Sequence, residues 1–296
     1  MYYGVKLNTN YKTLWQEGMK DWDGNLPVRM TDDVKEEGFW NTFMKKKEQA
    51  GVDSWVANLR KELITLIDPG EDVLEIGPGW GNYTFEAAEK AGSLTCVDSS
   101  ESVLAFLKAS AERKGWNHVN FVHAKWEELP EVKRADVVFG VNCYYRMQEI
   151  DRALLHINNT AKRLGIAGMV SGPERPHYKD IQEQLGCRIK FQRRDYIHLQ
   201  NLLYELGIDA NCKIVNLHKT YAYDTEEELL KDNLSAVLDK EYDRKKAVEL
   251  LYAYVREEDG KLIYPHNFKA ALLYWKPEKR LEPADLPTEV KQVVGV

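Results

Sequence analysis

Apolar positions along this chain alternate between two periods. Short continuous runs at 73–76, 93–97, 119–123, 135–141 and 166–171 have the length of buried strands. Between them, apolar residues recur every three or four positions, as on one face of a helix. Residues 52–67 carry Val56, Leu59, Leu63 and Leu66 on such a face and lead into the first strand. Ala87 and Ala88 lie in the helix after it, and Val103, Leu104, Leu107 and Ala111 mark the next. Ile150, Leu154, Ile157, Ala161 and Leu164 mark a further helix, which Gly165 is expected to end. Tyr196, Leu199, Leu203 and Leu206 make another, closed by Gly207. A sixth strand is read at 212–223, and a capping box at Thr225-Glu226-Glu227-Glu228. A helix at 242–256 and a last strand at 268–275 follow. Strands alternating with helices predict an α/β chain built on a parallel sheet.

The first strand runs into Glu75-Ile76-Gly77-Pro78-Gly79-Trp80-Gly81-Asn82. Glycines at alternate positions let the backbone turn sharply and let a ligand lie against it. A strand, a glycine turn and a helix together make a nucleotide site at the end of a parallel sheet. Spacing narrows the choice of nucleotide. A dinucleotide fingerprint needs a third glycine where Asn82 stands, and the Gly-Lys-Ser/Thr ending of a P-loop is absent. Glu75, just before the first glycine, would repel an anion and hold a cationic ligand. The second strand ends at Asp98, about 20 residues after Gly77, where a ribose-binding carboxylate is expected. Ser99 and Ser100 can cap the helix that follows.

This pattern resembles the class I S-adenosylmethionine-dependent methyltransferases, and the resemblance spans roughly 54–275. It implies a three-layer, Rossmann-like α/β fold with a seven-stranded, mostly parallel sheet and an antiparallel last strand. It implies S-adenosyl-L-methionine as cofactor and S-adenosyl-L-homocysteine as product. Cofactor contacts are implied for Glu75, Gly77, Pro78, Gly79, Trp80 and Gly81, for Asp98 and Ser99, and for Asn142 after the fourth strand. The segment Ala124-Lys125-Trp126-Glu127-Glu128-Leu129-Pro130 matches the family's adenine-binding stretch, with one departure. Lys125 stands where the family has an aspartate, and a lysine cannot accept a hydrogen bond. Backbone groups of Trp126, or Glu127, are the alternative holders of adenine.

Three segments follow from these limits: an N-terminal helical cap at 1–52, a methyltransferase domain at 53–276 with a helical insertion at about 224–260, and a tail at 277–296. The N-terminal segment carries Tyr2, Tyr3, Tyr11, Trp15, Trp22, Phe39, Trp40 and Phe43. These rings fit either a flank packed on the core or a cap over the pocket. The insertion separates two strands that normally form a short hairpin, and a lid or a homodimer contact is the role expected of it. The tail, with Pro277, Pro283 and Pro287, is expected to have no core role.

At 296 residues and 44% hydrophobic, one α/β domain with additions is expected. A net charge of −6 argues against a nucleic-acid partner. Lys45-Lys46-Lys47 and Arg193-Arg194 read as solvated helix faces. Four unpaired cysteines read as buried thiols of a cytoplasmic protein, and no signal segment or membrane span is visible. No Cys or His pair has zinc-ligand spacing, so no metal is expected. No Gly-x-Ser-x-Gly is present, and His123 reads as structural.

Methyl transfer is a direct displacement, and a base is needed only when the acceptor must lose a proton. The catalytic residue is therefore unknown from sequence. Trp40, Tyr144, Tyr145, Glu174 and His177 are the substrate-pocket candidates, with Asn142 beside them. Asn142-Cys143-Tyr144-Tyr145 lacks the prolines of an Asn-Pro-Pro-Tyr motif, which favours a small-molecule acceptor. The alternatives are a methyltransferase acting on protein or nucleic acid, or a non-catalytic cofactor-binding protein on the same fold.

Overall fold

All five apolar runs become parallel strands of one sheet. The structure is a computed structural model that describes residues 5, 7–47, 51–130 and 132–277. Tyr2, Tyr3 and the tail beyond 277, with Pro283 and Pro287, lie outside them. The strands are β1 (Asp72–Ile76), β2 (Ser93–Asp98), β3 (Val119–His123), β4 (Ala135–Val141), β5 (Ala161–Ser171), β6 (Asn211–Tyr223), β7 (Arg256–Glu258) and β8 (Lys261–Trp275). Their order is β3-β2-β1-β4-β5-β8-β6, with β7 paired to β8. Strands β1 to β5 are parallel, and β8 runs antiparallel to both β5 and β6.

Helices cover both faces because side chains alternate along each strand. Leu74, Ile76 and Val138 point to one side, and Val73, Val137 and Phe139 to the other. The first side is covered by α1 (Tyr11–Met19), α7 (Ile150–Thr160) and α9 (Tyr196–Glu205). The second is covered by α4 (Ala57–Thr65), α5 (Thr84–Lys90) and α6 (Glu101–Arg113). Two more N-terminal helices, α2 (Val28–Thr31) and α3 (Asp33–Lys47), precede α4, and α3 packs on α6. The expected three-layer α/β architecture is present.

Several boundaries differ from the sequence reading. Helix α7 stops at Thr160, so Ala161 and Leu164 belong to β5 and Gly165 is a strand residue. Strand β5 is buried from Leu164 to Gly168, and such a strand has a continuous apolar run whose start can fall in helical phase. The sheet has eight strands rather than seven. The extra strand, β7, turns into β8 through Asp259 and Gly260, whose φ values of 51° and 75° are those of a type I′ hairpin. Asp-Gly was the available sequence signal for it.

Helix α8 (Pro176–Leu185) was not anticipated. With α10 (Glu226–Leu234) and α11 (Arg244–Tyr252) it builds a side unit around Tyr178, Ile181, Leu234, Ala247 and Leu250. Arg193 and Arg194 are not a solvated helix face. Arg193 donates to the Asp21 carbonyl (3.0 Å), and Arg194 donates to the Tyr145 carbonyl (2.9 Å). Cys96 and Cys187 are buried, but Cys143 is half-buried and Cys212 exposed. Among the described residues no helix is long and apolar enough to cross a membrane.

Candidate functional site

The turn after β1 is held in a conformation that only glycine adopts without strain. Gly77 and Gly79 have φ values of 60° and 54°, and the Gly77 amide donates to the Val97 carbonyl (2.8 Å). A Cβ on Gly77 would fall 2.4 Å from Cys143 Cβ. A Cβ on Gly79 would meet only the Trp40 ring, at 3.8 Å, so the loop backbone stays open to a ligand there. Gly81 packs instead against Phe85.

A cavity of about 470 Å³ opens beside this loop, at the C-terminal ends of β1, β2 and β4. Of the sequence candidates, Gly77, Pro78, Gly79, Trp80, Asp98 and Ser99 line it. So do Lys125, Trp126, Glu127, Asn142, Trp40 and Tyr145. Glu75 lies behind the loop, fully buried, and Gly81 is not in the lining.

Two carboxyls set the electrostatics. Burial pushes Asp98 up to about 6, although the Ser100 and Gly79 amides pull the other way. The Ser100 amide donates to Asp98 Oδ1 (2.9 Å). Burial likewise pushes Glu75 up to about 8, the Thr84 hydroxyl opposing and the Asp98 charge adding to the rise. Among the described residues Glu75 Oε2 has no hydrogen-bond partner, and neither do the buried Trp80 indole N–H and Tyr83 hydroxyl. Among the described residues neither carboxyl forms an ion pair, and a buried carboxylate without a counter-charge favours a cationic neighbour.

The outer wall comes from the N-terminal segment. Asp33, at the start of α3, pairs with Lys125 (2.9 Å) and Arg146 (2.6 Å), both in the lining. One turn on, the buried Glu36 accepts from the Trp40 indole (2.8 Å), Arg29 Nε (2.8 Å) and the Tyr145 hydroxyl. Glu37 accepts from the Ser102 amide (3.0 Å) at the start of α6. Trp40 and Phe43 lie against Trp80 of the glycine loop.

The remaining candidates sit differently. The Trp126 ring belongs to the core, stacked on His156 and donating to the Ala153 carbonyl (3.0 Å). Asn142 has φ 56°, a region that Asn tolerates better than most residues, and its side chain accepts from the Val170 amide (2.7 Å). Tyr144 is buried with its hydroxyl on the Gly140 carbonyl (2.8 Å).

Glu174 and His177 do not reach the cavity. Glu174 accepts from the Gln192 amide (3.1 Å). His177 is wholly buried in the side unit, bonded to the Tyr264 hydroxyl (2.8 Å) and the Asn233 carbonyl (2.9 Å). Burial depresses it to about 4, so it is a neutral core histidine. The 224–260 insertion contributes nothing to the lining.

Sequence reasoning missed Met30, Trp55, Asn82, Tyr83, Arg146 and Arg152 as lining residues. Asn82 is the position that broke the dinucleotide pattern. Its side chain accepts from the Asp53 amide (2.8 Å), fixing the chain that enters α4.

Residues 73–165 match the family model of a methyltransferase domain. Over 221 residues the chain is 26% identical to an uncharacterized protein of Haemophilus influenzae, covering 72% of this chain and 79% of that one. A candidate methyltransferase from Bacillus halodurans shares the fold at 17% identity and a TM-score of 0.50, over 74% of this chain and 99% of that one. A chain of the complex between the Haloferax volcanii Trm112 methyltransferase activator and a candidate methyltransferase is similar at 14% identity and a TM-score of 0.54. It covers 84% of this chain and 98% of its own. Haemonchus contortus phosphoethanolamine N-methyltransferase 2, solved with phosphomonomethylethanolamine and S-adenosylhomocysteine, gives 15% identity and a TM-score of 0.51. That match covers 84% of this chain and 60% of that one. The matched stretch holds the glycine loop between β1 and α5 and the acid at the tip of β2, so residues 73–165 form a methyltransferase domain within the α/β fold.

Proposed function

We propose that this protein transfers a methyl group from S-adenosyl-L-methionine to a small-molecule acceptor, releasing S-adenosyl-L-homocysteine. The observation that carries the reading is the pair of buried, uncompensated carboxyls, Glu75 and Asp98, beside an open glycine loop. The cofactor's sulfonium and ammonium give it net positive charge, which these carboxyls favour. The unpartnered Trp80 N–H and Tyr83 hydroxyl belong to residues of the lining and are polar atoms that a ligand would satisfy. The Haemonchus relative, solved with S-adenosylhomocysteine, supports the same choice.

In this reading Asp98 accepts the ribose hydroxyls, the loop amides of 77–81 face the amino-acid end, and the segment 125–127 flanks adenine. The bound cofactor supplies an electrophilic methyl group. The chain's own part is to orient the acceptor and exclude water, through Trp40, Tyr145 and the α3 wall. Orientation alone can contribute about 7–11 kcal/mol to such a step. The acidic net charge, the aromatic wall and the absence of an Asn-Pro-Pro-Tyr motif support a small acceptor over nucleic acid or protein. Four cysteines outside any disulfide support a cytoplasmic location.

Calorimetry with S-adenosylmethionine, S-adenosylhomocysteine and NAD tests the cofactor. Micromolar binding of the first two and none of NAD is expected; the reverse would overturn the reading. Transfer of labelled methyl to a small-molecule panel then tests catalysis.

A further inference from the structure

A second, smaller cavity of about 150 Å³ adjoins the first, and Asn142 and Tyr145 line both. Trp15, Met169 and Val170 give it apolar walls, and Arg194 is the one charged residue in its lining. Tyr144 also faces it, but that hydroxyl is committed to the Gly140 carbonyl.

Arg194 is the cation of this chamber. Among the described residues it forms no ion pair. It donates one hydrogen bond, from Nη1 to the Tyr145 carbonyl, and its guanidinium lies 5.0 Å over the Trp15 ring. A guanidinium carries five N–H donors, so most of this fork has no acceptor among the described residues. Burial, with Arg193 beside it, pushes Arg194 down to about 10. An oxyanion at the fork would remove that penalty, and planar bidentate pairing is what arginine does best. Carboxylates are absent from the lining, so none competes for it.

We infer that this chamber is the acceptor subsite and that the methyl acceptor is a small oxyanion, a carboxylate or a phosphate monoester, held by Arg194. The inference rests on the methyltransferase reading above. The anionic end sits at Arg194, and the atom to be methylated lies toward Asn142 and Tyr145, where the chamber meets the cofactor cavity. The apolar walls suit a short carbon chain between the two ends. At about 30 Å³ per water, the chamber holds a fragment of a few heavy atoms rather than a polymer segment.

The test is a labelled-methyl transfer screen with paired small molecules. Each carboxylate or phosphate monoester is run beside its neutral amide or alcohol. Turnover confined to the anionic member is expected, and which anion works separates carboxylate from phosphate. For the accepted compound, Arg194→Gln should raise KM about tenfold or more, the worth of a lost charge-assisted pair. Arg194→Lys should recover part of that, and the Kd for S-adenosylhomocysteine should stay put in both. Equal turnover of neutral partners, or an unchanged KM in Arg194→Gln, overturns the inference.

A second measurement needs no known acceptor and no stable Gln variant. Inorganic phosphate and acetate are titrated into ¹⁵N-arginine-labelled wild type, with the Arg194 Nε–H signal assigned through Arg194→Lys. A saturable shift at Arg194 is expected, and a flat response overturns the chamber as an anion site. Failure of S-adenosylmethionine to bind the wild type would sink the methyltransferase reading instead, and the arginine titration reports independently of it.

Discussion

The Tyr145 hydroxyl donates to the Glu36 carboxylate, joining the loop after β4 to helix α3 across 109 positions of sequence. Glu36 is buried and also accepts from Trp40 and Arg29, so one carboxylate organises the outer wall of the cavity. Glu36 and the hydroxyl each raise the cost of losing the other. Burial, and then Glu36, push the Tyr145 hydroxyl well above its ordinary range, so it stays a donor at neutral pH.

Removing the two partners is expected to have unequal effects. Tyr145→Phe leaves Glu36 with two other donors and should cost about 1 kcal/mol. Glu36→Ala leaves the Tyr145 hydroxyl without its acceptor and the Trp40 indole with only the Tyr145 oxygen (3.2 Å), and should cost about 1–3 kcal/mol per group left unpaired. Denaturant melts of both variants check the order. A larger loss for Tyr145→Phe would mean that Glu36 is not the hub.

Cofactor binding should tighten as pH rises. Asp98 sits at about 6 and Glu75 at about 8, both above their ordinary values of 3.8 and 4.5. With folded values raised, the unfolded chain gives up these protons first. The two groups therefore cost stability increasingly from about pH 4 upward, until each has ionised in the folded state. A cation beside them favours ionisation, so binding releases protons between pH 5 and 8. Calorimetry in buffers of different ionisation enthalpy measures that release. Proton uptake, or affinity independent of pH in this range, contradicts the arrangement.

Asp98→Asn separates binding from folding. The variant keeps the shape of the β2 tip but removes a charge that burial penalises, so melting temperature at neutral pH should hold or rise. Loss of charge-assisted bonds to a ribose, worth about 1.5–3 kcal/mol each, should weaken S-adenosylhomocysteine tenfold or more. An unchanged dissociation constant takes Asp98 out of the site.

The inner half of this site was legible because a short contiguous motif carries it. Residues 75–82 and Asp98 sit at strand tips whose positions follow from strand length, and the structure puts Gly77, Gly79 and Asp98 at one cavity. The outer half was not, since Glu36 meets Tyr145, and Asp33 meets Arg146, only through tertiary packing. Glu174 and His177 were misplaced for a related reason. They follow β5 in sequence, where acceptor residues are plausible, but the chain goes on into α8 and carries His177 into the side unit. Trp40 and Tyr145 were named singly, and nothing in the sequence pairs them through Glu36.

Gly77→Ala should damage folding as well as binding. The new methyl would need φ near 60° and would fall 2.4 Å from Cys143 Cβ, a contact that backbone must move to relieve. Incompatible backbone geometry of this kind costs more than about 1 kcal/mol, and the clash adds to it. The double variant Gly77→Ala with Cys143→Gly should recover part of the stability, because it removes the clash and leaves the φ strain. No recovery in thermal melts would place the strain elsewhere.

The aromatic N-terminal segment divides into two parts with different expected behaviour. Trp15 and Met19 on α1 belong to the main core with Met147, Leu199 and Leu203, and the Trp15 indole donates to the Met147 carbonyl (2.8 Å). Trp40 on α3 instead faces the cavity and the glycine loop. Deleting residues 1–50 therefore removes a piece of core along with the outer wall, and should lower stability sharply rather than leave an intact binding core. Trp15→Ala alone should cost about 3–5 kcal/mol, as for a buried large aromatic. Trp40→Ala should cost less, yet weaken cofactor binding and acceptor turnover. Hydrogen exchange with and without S-adenosylhomocysteine distinguishes the parts without a deletion. Residues 33–47 should gain protection on binding, while 11–19 should already be protected and change little. Equal gains in both segments would make the whole N-terminus a moving cover. No gain in 33–47, with full activity in Trp40→Ala, would reduce α3 to packing on α6.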